Sequence, residues 1–370
     1  MKPAITAIGT ANPPWQRSQP DLPDLFYSAF NLDPAELRML RIIYKKSGIE
    51  TRYSVLQDYV RQPGEFEFFP NHPGESFPST AARMKIYQEN ALPLALKAIA
   101  NCFAARGEFD KKNITHLITI SCTGMYAPGI DIEIVQRLNL QSSTKRTSVN
   151  FMGCYGTFNG LKLAESICQA DHRAKVLLVS VELCTIHFQR NMSPDNMIAN
   201  AIFADGAGAI LIEMAPESGR YFYLDAFHCD LLPNSSQQMA WQIADSGFDI
   251  VLSSYVADVI QSGIAGFVKN FHAIQHLSST AIDYYAIHPG GLKILEACEK
   301  ALNITREDNR HAYHVLRHYG NMSSATIIFI LMEMWNGMTA SDHEKRVFAC
   351  AFGPGLTLES MLLRICCTSA

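Results

Sequence analysis

Three residues of this 370-residue chain, Cys154, His288 and Asn321, have the types and settings that a covalent acyl chemistry needs. Cys154 lies in Met152-Gly153-Cys154-Tyr155-Gly156, His288 precedes Pro289-Gly290-Gly291, and Asn321 follows Tyr319-Gly320. Each stands where an apolar run meets a glycine-bearing turn. A cysteine sulfur attacks an acyl thioester well only as the thiolate. A neighbouring imidazolium and a helix N-terminus would hold it ionised, so the pattern predicts a thiol pKa below the usual value of about 8.5. An asparagine amide can stabilise an oxyanion without taking a proton. Taken singly, each residue has a plain alternative: a small core thiol, a histidine capping a turn, an asparagine in a left-handed conformation.

The elements that would position them are legible from periodicity. Leu161, Ala164, Ile167 and Cys168 recur at helical spacing, so a helix is predicted from Thr157 to Gln169 with Cys154 just before its N-terminus. Buried strands are predicted at Ile5 to Ile8, Thr115 to Ser121, Lys175 to Glu182 and Ile210 to Met214, the last led by a turn at Ala204 to Ala209. Helices are predicted at Pro34 to Tyr44, Thr80 to Arg106 and Asp131 to Leu138. The second half repeats the order loosely. It has a helix near Ser253 to Phe271, a strand at Asp283 to Ile287, helices at Leu292 to Leu302 and Ser323 to Trp335, and strands at Arg346 to Ala351 and Leu356 to Arg364. Alternating strand and helix imply an α/β fold whose mixed sheet is covered on both faces. Pro216-Glu217-Ser218-Gly219 marks a boundary between residues 1–217 and 218–370.

A formal net charge of −4 gives no electrostatic case for nucleic acid or an anionic membrane. The apolar run from Ala325 to Met332 is far shorter than the roughly 18 residues of a membrane span. Ten irregularly spaced cysteines fit reduced thiols in a cytoplasmic protein. His311, His314 and His318 share a helical face, but no carboxylate or cysteine joins them, so no metal site is expected.

Eight motifs in order resemble the type III polyketide synthases, the chalcone and stilbene synthase-like enzymes of the thiolase fold. They are Ala7 to Pro13 (AIGTANP), Lys46 to Tyr53 (KSGIETRY), Thr123 to Asp131 (TGMYAPGID), Met152 to Gly156 (MGCYG), Ala201 to Ala209 (AIFADGAGA), Ile287 to Leu295 (IHPGGLKIL), Tyr319 to Ala325 (YGNMSSA) and Phe352 to Glu359 (FGPGLTLE). The resemblance implies two pseudo-symmetric thiolase-like halves. It implies Cys154 as the carrier of starter and growing chain, with His288 and Asn321 binding the malonyl thioester carbonyl. It implies Phe203 as an aromatic gate and Gly353 and Pro354 as the cavity floor. Cys122, Thr123, Cys184, His187, Trp241, Ile250 and Ser323 would line the elongation cavity. Trp241 stands where plant enzymes carry glycine, and Cys184 and His187 where they carry small hydroxyl residues; these departures imply a small cavity and a short pyrone or resorcinol product. Arg38, Arg41 and Lys45 resemble the basic trio that meets CoA phosphates, one residue out of register with Lys46-Ser47. Malonyl-CoA and an acyl-CoA starter are the implied substrates, with no cofactor, no metal and a homodimer. A single-round initiating ketoacyl synthase fed by a carrier protein, or an inactive subunit of a biosynthetic complex, are the competing expectations.

Overall fold

The computed structural model describes residues 2–72, 74–233, 235, 239–252, 256–275 and 282–368. Its first half opens with β1 (Pro3–Ala11), the ribbon strand β2 (Trp15–Ser18), α1 (Leu22–Phe30) and α2 (Pro34–Lys46). Next come β3 (Thr51–Ser54), α3 (Thr80–Arg106), β4 (His116–Ser121), α4 (Ile130–Leu138) and β5 (Lys145–Asn150). The half closes with α5 (Gly156–Ala170), β6 (Lys175–Leu183), α6 (Pro194–Ile202) and β7 (Asp205–Met214). The second half holds β8 (Arg220–Leu231), the hairpin β9 (Met239–Ala244) and β10 (Gly247–Leu252), α7 (Val256–Ile274) and β11 (Tyr284–Ile287). It ends with α8 (Leu292–Leu302), α9 (Arg310–Tyr319), α10 (Thr326–Gly337), β12 (Arg346–Gly353) and β13 (Thr357–Cys367).

Nine strands make one mixed sheet in the order β11-β12-β13-β8-β1-β7-β6-β4-β5. The seam is β1 against β8, paired at Ala4 with Tyr223 and Ile5 with Phe222. Outward from it, one side reads β1-β7-β6-β4-β5 and the other β8-β13-β12-β11. In both halves the first strand is central and the last lies beside it, so the halves share one plan. β6 is buried almost throughout, as its run Lys175-Val-Leu-Leu-Val-Ser-Val-Glu-Leu183 requires of a strand covered on both faces.

Local chemistry explains where the elements start. Asp33 caps α2 by accepting from the Ala35 and Glu36 N–H groups, Glu36 returns a bond to the Asp33 N–H, and Pro34 sits in the first turn. The turn expected at Ala204 to Ala209 is instead the beginning of β7. Its glycines serve close packing. A Cβ on Gly206 would lie 2.4 Å from Met322 Sδ, and one on Gly208 would lie 2.7 Å from Ile328 Cβ. The Asn321 turn and α10 therefore rest directly on β7. The helix expected from Ser323 opens with a 3-10 turn, Ser323–Ala325, before α10 begins. α7 covers most of the helix expected near Ser253, although 253–255 lie outside the described residues. β2, β3, β8, β9, β10, α1 and α6 had no counterpart in the sequence pattern. No helix among the described residues is long and apolar enough to cross a membrane.

Candidate active site

After β5 the chain leaves the sheet through Phe151 and Gly153, both at positive φ (59° and 73°). Gly153 suits that backbone, and a Cβ there would also stand 2.4 Å from Pro354 Cδ. A 3-10 turn, Gly153–Tyr155, then runs into α5, which sets Cys154 at the helix N-terminus. Cys122, just past β4, pins the turn: the Gly153 N–H donates to its Sγ at 3.0 Å. His288 follows β11, and its N–H donates to the Cys350 carbonyl at 2.8 Å, continuing the parallel pairing with β12. Asn321 bridges to Phe203. Its N–H donates to the Ile202 carbonyl (2.8 Å) and its carbonyl accepts from the Ala204 N–H (2.9 Å). The Ser323 N–H donates to Asn321 Oδ1 at 2.9 Å, which orients the amide. Asn321 Oδ1 and Nδ2 lie 3.9 and 4.0 Å from Cys154 Sγ.

Cys154, His288 and Asn321 border one apolar cavity of about 40 Å³, room for about three waters. Cys122, Thr123, Cys184 and Phe203 border it too, as do Trp241, Ile250, Ser323 and Pro354. Trp241 and Ile250 are partners across the β9–β10 hairpin, and the Trp241 Nε1–H donates to the Cys122 carbonyl at 2.7 Å. His187 does not border the cavity. It stacks on Phe248 with ring centroids 4.3 Å apart, and its nitrogens are spent on the Thr123 carbonyl (2.6 Å) and the Phe248 N–H (3.0 Å). Gly353 also lies behind the wall, where a Cβ would press on the Tyr155 ring at 2.5 Å.

A second cavity, about 560 Å³, adjoins the first and shares Gly290 and Ile294 with it. From α2 it takes Met39, Ile42, Ile43 and Lys46. Arg38, Arg41 and Lys45 are exposed and absent from its described wall, and Arg41 pairs with Asp24 at 2.7 Å. The one-residue register offset is the reason: it turns the face adjoining the cavity from basic to mostly apolar.

The electrostatics also depart from expectation. Burial pushes the Cys154 thiol up to about 12, with bonds from Ser323 and Asn321 only partly opposing it. Burial likewise pushes the His288 imidazole down to about 3. Burial thus disfavours both the thiolate and the imidazolium, against the ion pair the sequence predicts, because each charge would lose its water in an apolar pocket. Both His288 ring nitrogens are buried and have no hydrogen-bond partner among the described residues. Such a group costs stability unless a water or a bound molecule satisfies it. Among the described residues no group of three side chains could hold a metal, His311, His314 and His318 included.

Two sequence profiles tile the chain. The chalcone and stilbene synthase N-terminal domain matches residues 2–216, and the corresponding C-terminal domain matches residues 224–367. The chain belongs to the chalcone and stilbene synthase family. It is 31% identical over 366 residues to "Alpha-pyrone synthesis polyketide synthase-like Pks18" of Mycobacterium tuberculosis, covering 98% of this chain and 91% of that one. It is 26% identical over 372 residues to "Type III polyketide synthase A" of Arabidopsis thaliana, covering 98% and 93%. The crystal structure of PKS-I from the brown alga Ectocarpus siliculosus superposes with a TM-score of 0.88 at 26% identity, covering 98% of each chain. The fold is thus thiolase-like, and the protein is a type III polyketide synthase, an acyltransferase that condenses malonyl-CoA iteratively onto an acyl starter.

Two site features of this polyketide synthase were missed in the sequence. Glu182, fully buried at the end of β6, accepts from the Cys122 N–H (3.0 Å), Thr123 Oγ1 (2.8 Å) and Ser324 Oγ, and burial raises it to about 7. A lone acid in an otherwise apolar strand was the available signal. Arg52, also fully buried, donates to the Phe203 carbonyl at 2.6 Å and the Asn200 carbonyl at 2.7 Å, anchoring the backbone of the expected gate.

Proposed function

We propose that Cys154 carries the starter and the growing chain, and that His288 and Asn321 bind and activate the malonyl thioester, giving a short pyrone or resorcinol product. The supporting observation is the meeting of a thiol, an amide and an imidazole without a partner among the described residues at one apolar cavity. In the loading step Cys154 Sγ attacks the starter carbonyl while the neutral His288 accepts the thiol proton, which then passes to the departing CoA sulfur. In extension the malonyl carbonyl oxygen lies against His288 and Asn321. Loss of CO₂ leaves an enolate whose oxygen both donors stabilise, each worth on the order of 3 kcal/mol. The enolate carbon attacks the acyl carbonyl on Cys154, and the bond to Sγ breaks. The freed Cys154 thiolate takes the two-carbon-longer chain back from its CoA thioester for the next round, releasing CoA, which takes up a proton. Apolar walls strengthen these interactions by excluding water. The chain uses no cofactor beyond its CoA substrates.

The small cavity, with Trp241 pinned in its wall, supports a small or slim aliphatic starter. A panel of acyl-CoA starters with malonyl-CoA, read by mass, tests this reading. Cys154→Ala should abolish acyl loading and product together, and polyketide from that variant would overturn the nucleophile assignment.

The protein acts as a homodimer in this reading. β5 is a largely exposed edge strand leading into the nucleophile turn, with Met125 (44% exposed) and Met152 (38%) also at the surface. An uncovered edge of this kind invites pairing with a second copy. Sedimentation at micromolar concentration should show twice the 41.2 kDa chain mass, and a fully active monomer would refute the dimer.

A further inference from the structure

Arg52, in β3, is wholly buried, and the hydrogen bonds it makes go to neutral groups. A charge taken out of water is costly unless the interior makes use of it. What Arg52 meets is the C-terminal end of α6, the negative end of that helix's dipole. A helix leaves its last four carbonyls without a partner of its own. Here the Phe203 N–H closes on the Ala199 carbonyl, and the carbonyls that follow, Asn200 to Phe203, are all taken. Arg52 Nη1 donates to the Asn200 carbonyl at 2.7 Å and to the Phe203 carbonyl at 2.6 Å. Gln19 Nε2 donates to the Ala201 carbonyl at 2.8 Å, and Gln19 Oε1 is itself held by Arg52 Nε at 2.7 Å. The Ile202 carbonyl accepts from the Asn321 N–H at 2.8 Å. One guanidinium thus governs three of these carbonyls, and the Asn321 turn hangs from the other.

The stem of the same side chain packs against that turn. A Cβ on Gly320, which holds φ at 73°, would stand 3.1 Å from Arg52 Cδ and 2.9 Å from the Ile202 carbonyl oxygen. The rings of Tyr44 and Phe188, with centroids 5.3 and 5.7 Å from Arg52 Cζ, hold the guanidinium in place. α6 in turn presents Met197, Ile198 and Ile202 to the 560 Å³ cavity, a vestibule to the Cys154 chamber that Phe203 and Asn321 border. Arg52 itself is on the described wall of neither. We infer that Arg52 is a positioning residue for malonyl decarboxylation: it fixes the end of α6 and, through the bonds joining Ile202 and Ala204 to Asn321, the place of the Asn321 amide. The inference rests on the proposed role of Asn321. The work needs a planar fork, because Nη1 and Nε must reach the α6 carbonyls and Gln19 together. Lysine would bring the charge on a single nitrogen and lose that geometry.

The test uses the whole chain. Decarboxylation of malonyl-CoA alone is followed as acetyl-CoA, and loading of Cys154 from hexanoyl-CoA by intact mass. Arg52→Lys should lower kcat for decarboxylation about 10- to 100-fold and leave KM for malonyl-CoA and the loading rate within about threefold. Asn321→Ala should lower decarboxylation about 100-fold or more. Adding Arg52→Lys to Asn321→Ala should then cost less than about twofold further, since the amide it positions is gone. Gln19→Ala removes the partner of Nε and the bond to Ala201. It should show the same split and the same dependence on Asn321 at roughly 3- to 10-fold, and it carries the test if Arg52→Lys does not fold. Losses that multiply in the double variant, or loading and decarboxylation that fall alike, would make Arg52 a structural residue only and overturn the inference. So would wild-type decarboxylation by the folded single variants. Unchanged decarboxylation in Asn321→Ala would instead refute the proposed role of Asn321, and the inference with it.

Discussion

Gly208→Ala should damage catalysis from a residue that touches no substrate. The new Cβ would lie 2.6–2.8 Å from three carbons of Ile328, including its Cβ at 2.7 Å, where ordinary contact begins at 3.4 Å. A colliding Cβ cannot be relieved by rotating a side chain, so the first turn of α10 must retreat by about 0.7 Å (3.4 − 2.7). Overpacking of this kind costs about 1–3 kcal/mol of stability. The retreat carries the Ser323–Ala325 turn and the Asn321 amide away from Cys154, and a misplacement near 1 Å can cost roughly a hundredfold in rate. Malonyl-CoA decarboxylation, followed as acetyl-CoA formation, should therefore fall about 10- to 100-fold. Starter loading on Cys154, which under the proposed function needs the thiol and His288, should stay within about threefold by intact mass. Adding Ile328→Gly, which removes all three colliding carbons, should restore much of the loss. A folded Gly208→Ala protein that decarboxylates at the wild-type rate would refute the claim that β7 sets the height of Asn321.

Two further outcomes follow from the cavity. Because burial raises the Cys154 thiol to about 12, its thiolate fraction grows about tenfold per pH unit from pH 7 to 10. Iodoacetamide labelling should climb accordingly without a plateau, whereas a midpoint below about 8.5 that moves up in His288→Gln would establish a resting ion pair. Trp241→Gly should open the chamber and admit longer starters or one further extension, read as product mass from one acyl-CoA series. Truncating a packed aromatic costs about 3–5 kcal/mol, less where the ring faces a cavity, and identical product lengths from a folded variant would mean that another wall limits the chain.

The meeting of Cys154, His288 and Asn321 at one cavity was legible because each sits in a short contiguous motif whose glycines announce a turn. The strands and helices around them were legible for the same reason: a buried run or a 3.6-residue rhythm is a local property. Rotation of a helix about its axis is not. The spacing of Arg38, Arg41 and Lys45 shows that they share a stripe, but the contacts of α2 decide that Met39 and Ile42 reach the vestibule instead. His187 was misplaced for a related reason, since its stacking on Phe248 depends on a hairpin some sixty residues away. The sign of the Cys154 shift turned on desolvation, which the neighbourhood of a motif does not reveal. Glu182 was hidden by its setting in an apolar strand, where one acid looks like an interruption rather than the acceptor of three bonds.

The two cavities meet at Gly290 and Ile294. Under the proposed function, this junction is a common corridor for starter, extender and departing product. Traffic through it is then competitive: a vestibule filled by a waiting malonyl thioester closes the way out for a finished chain. Product length becomes partly a matter of residence time, fixed by how often an extender arrives before an intermediate cyclises and leaves. The walls set the longest chain that fits, while the supply of malonyl-CoA decides how many chains reach that limit.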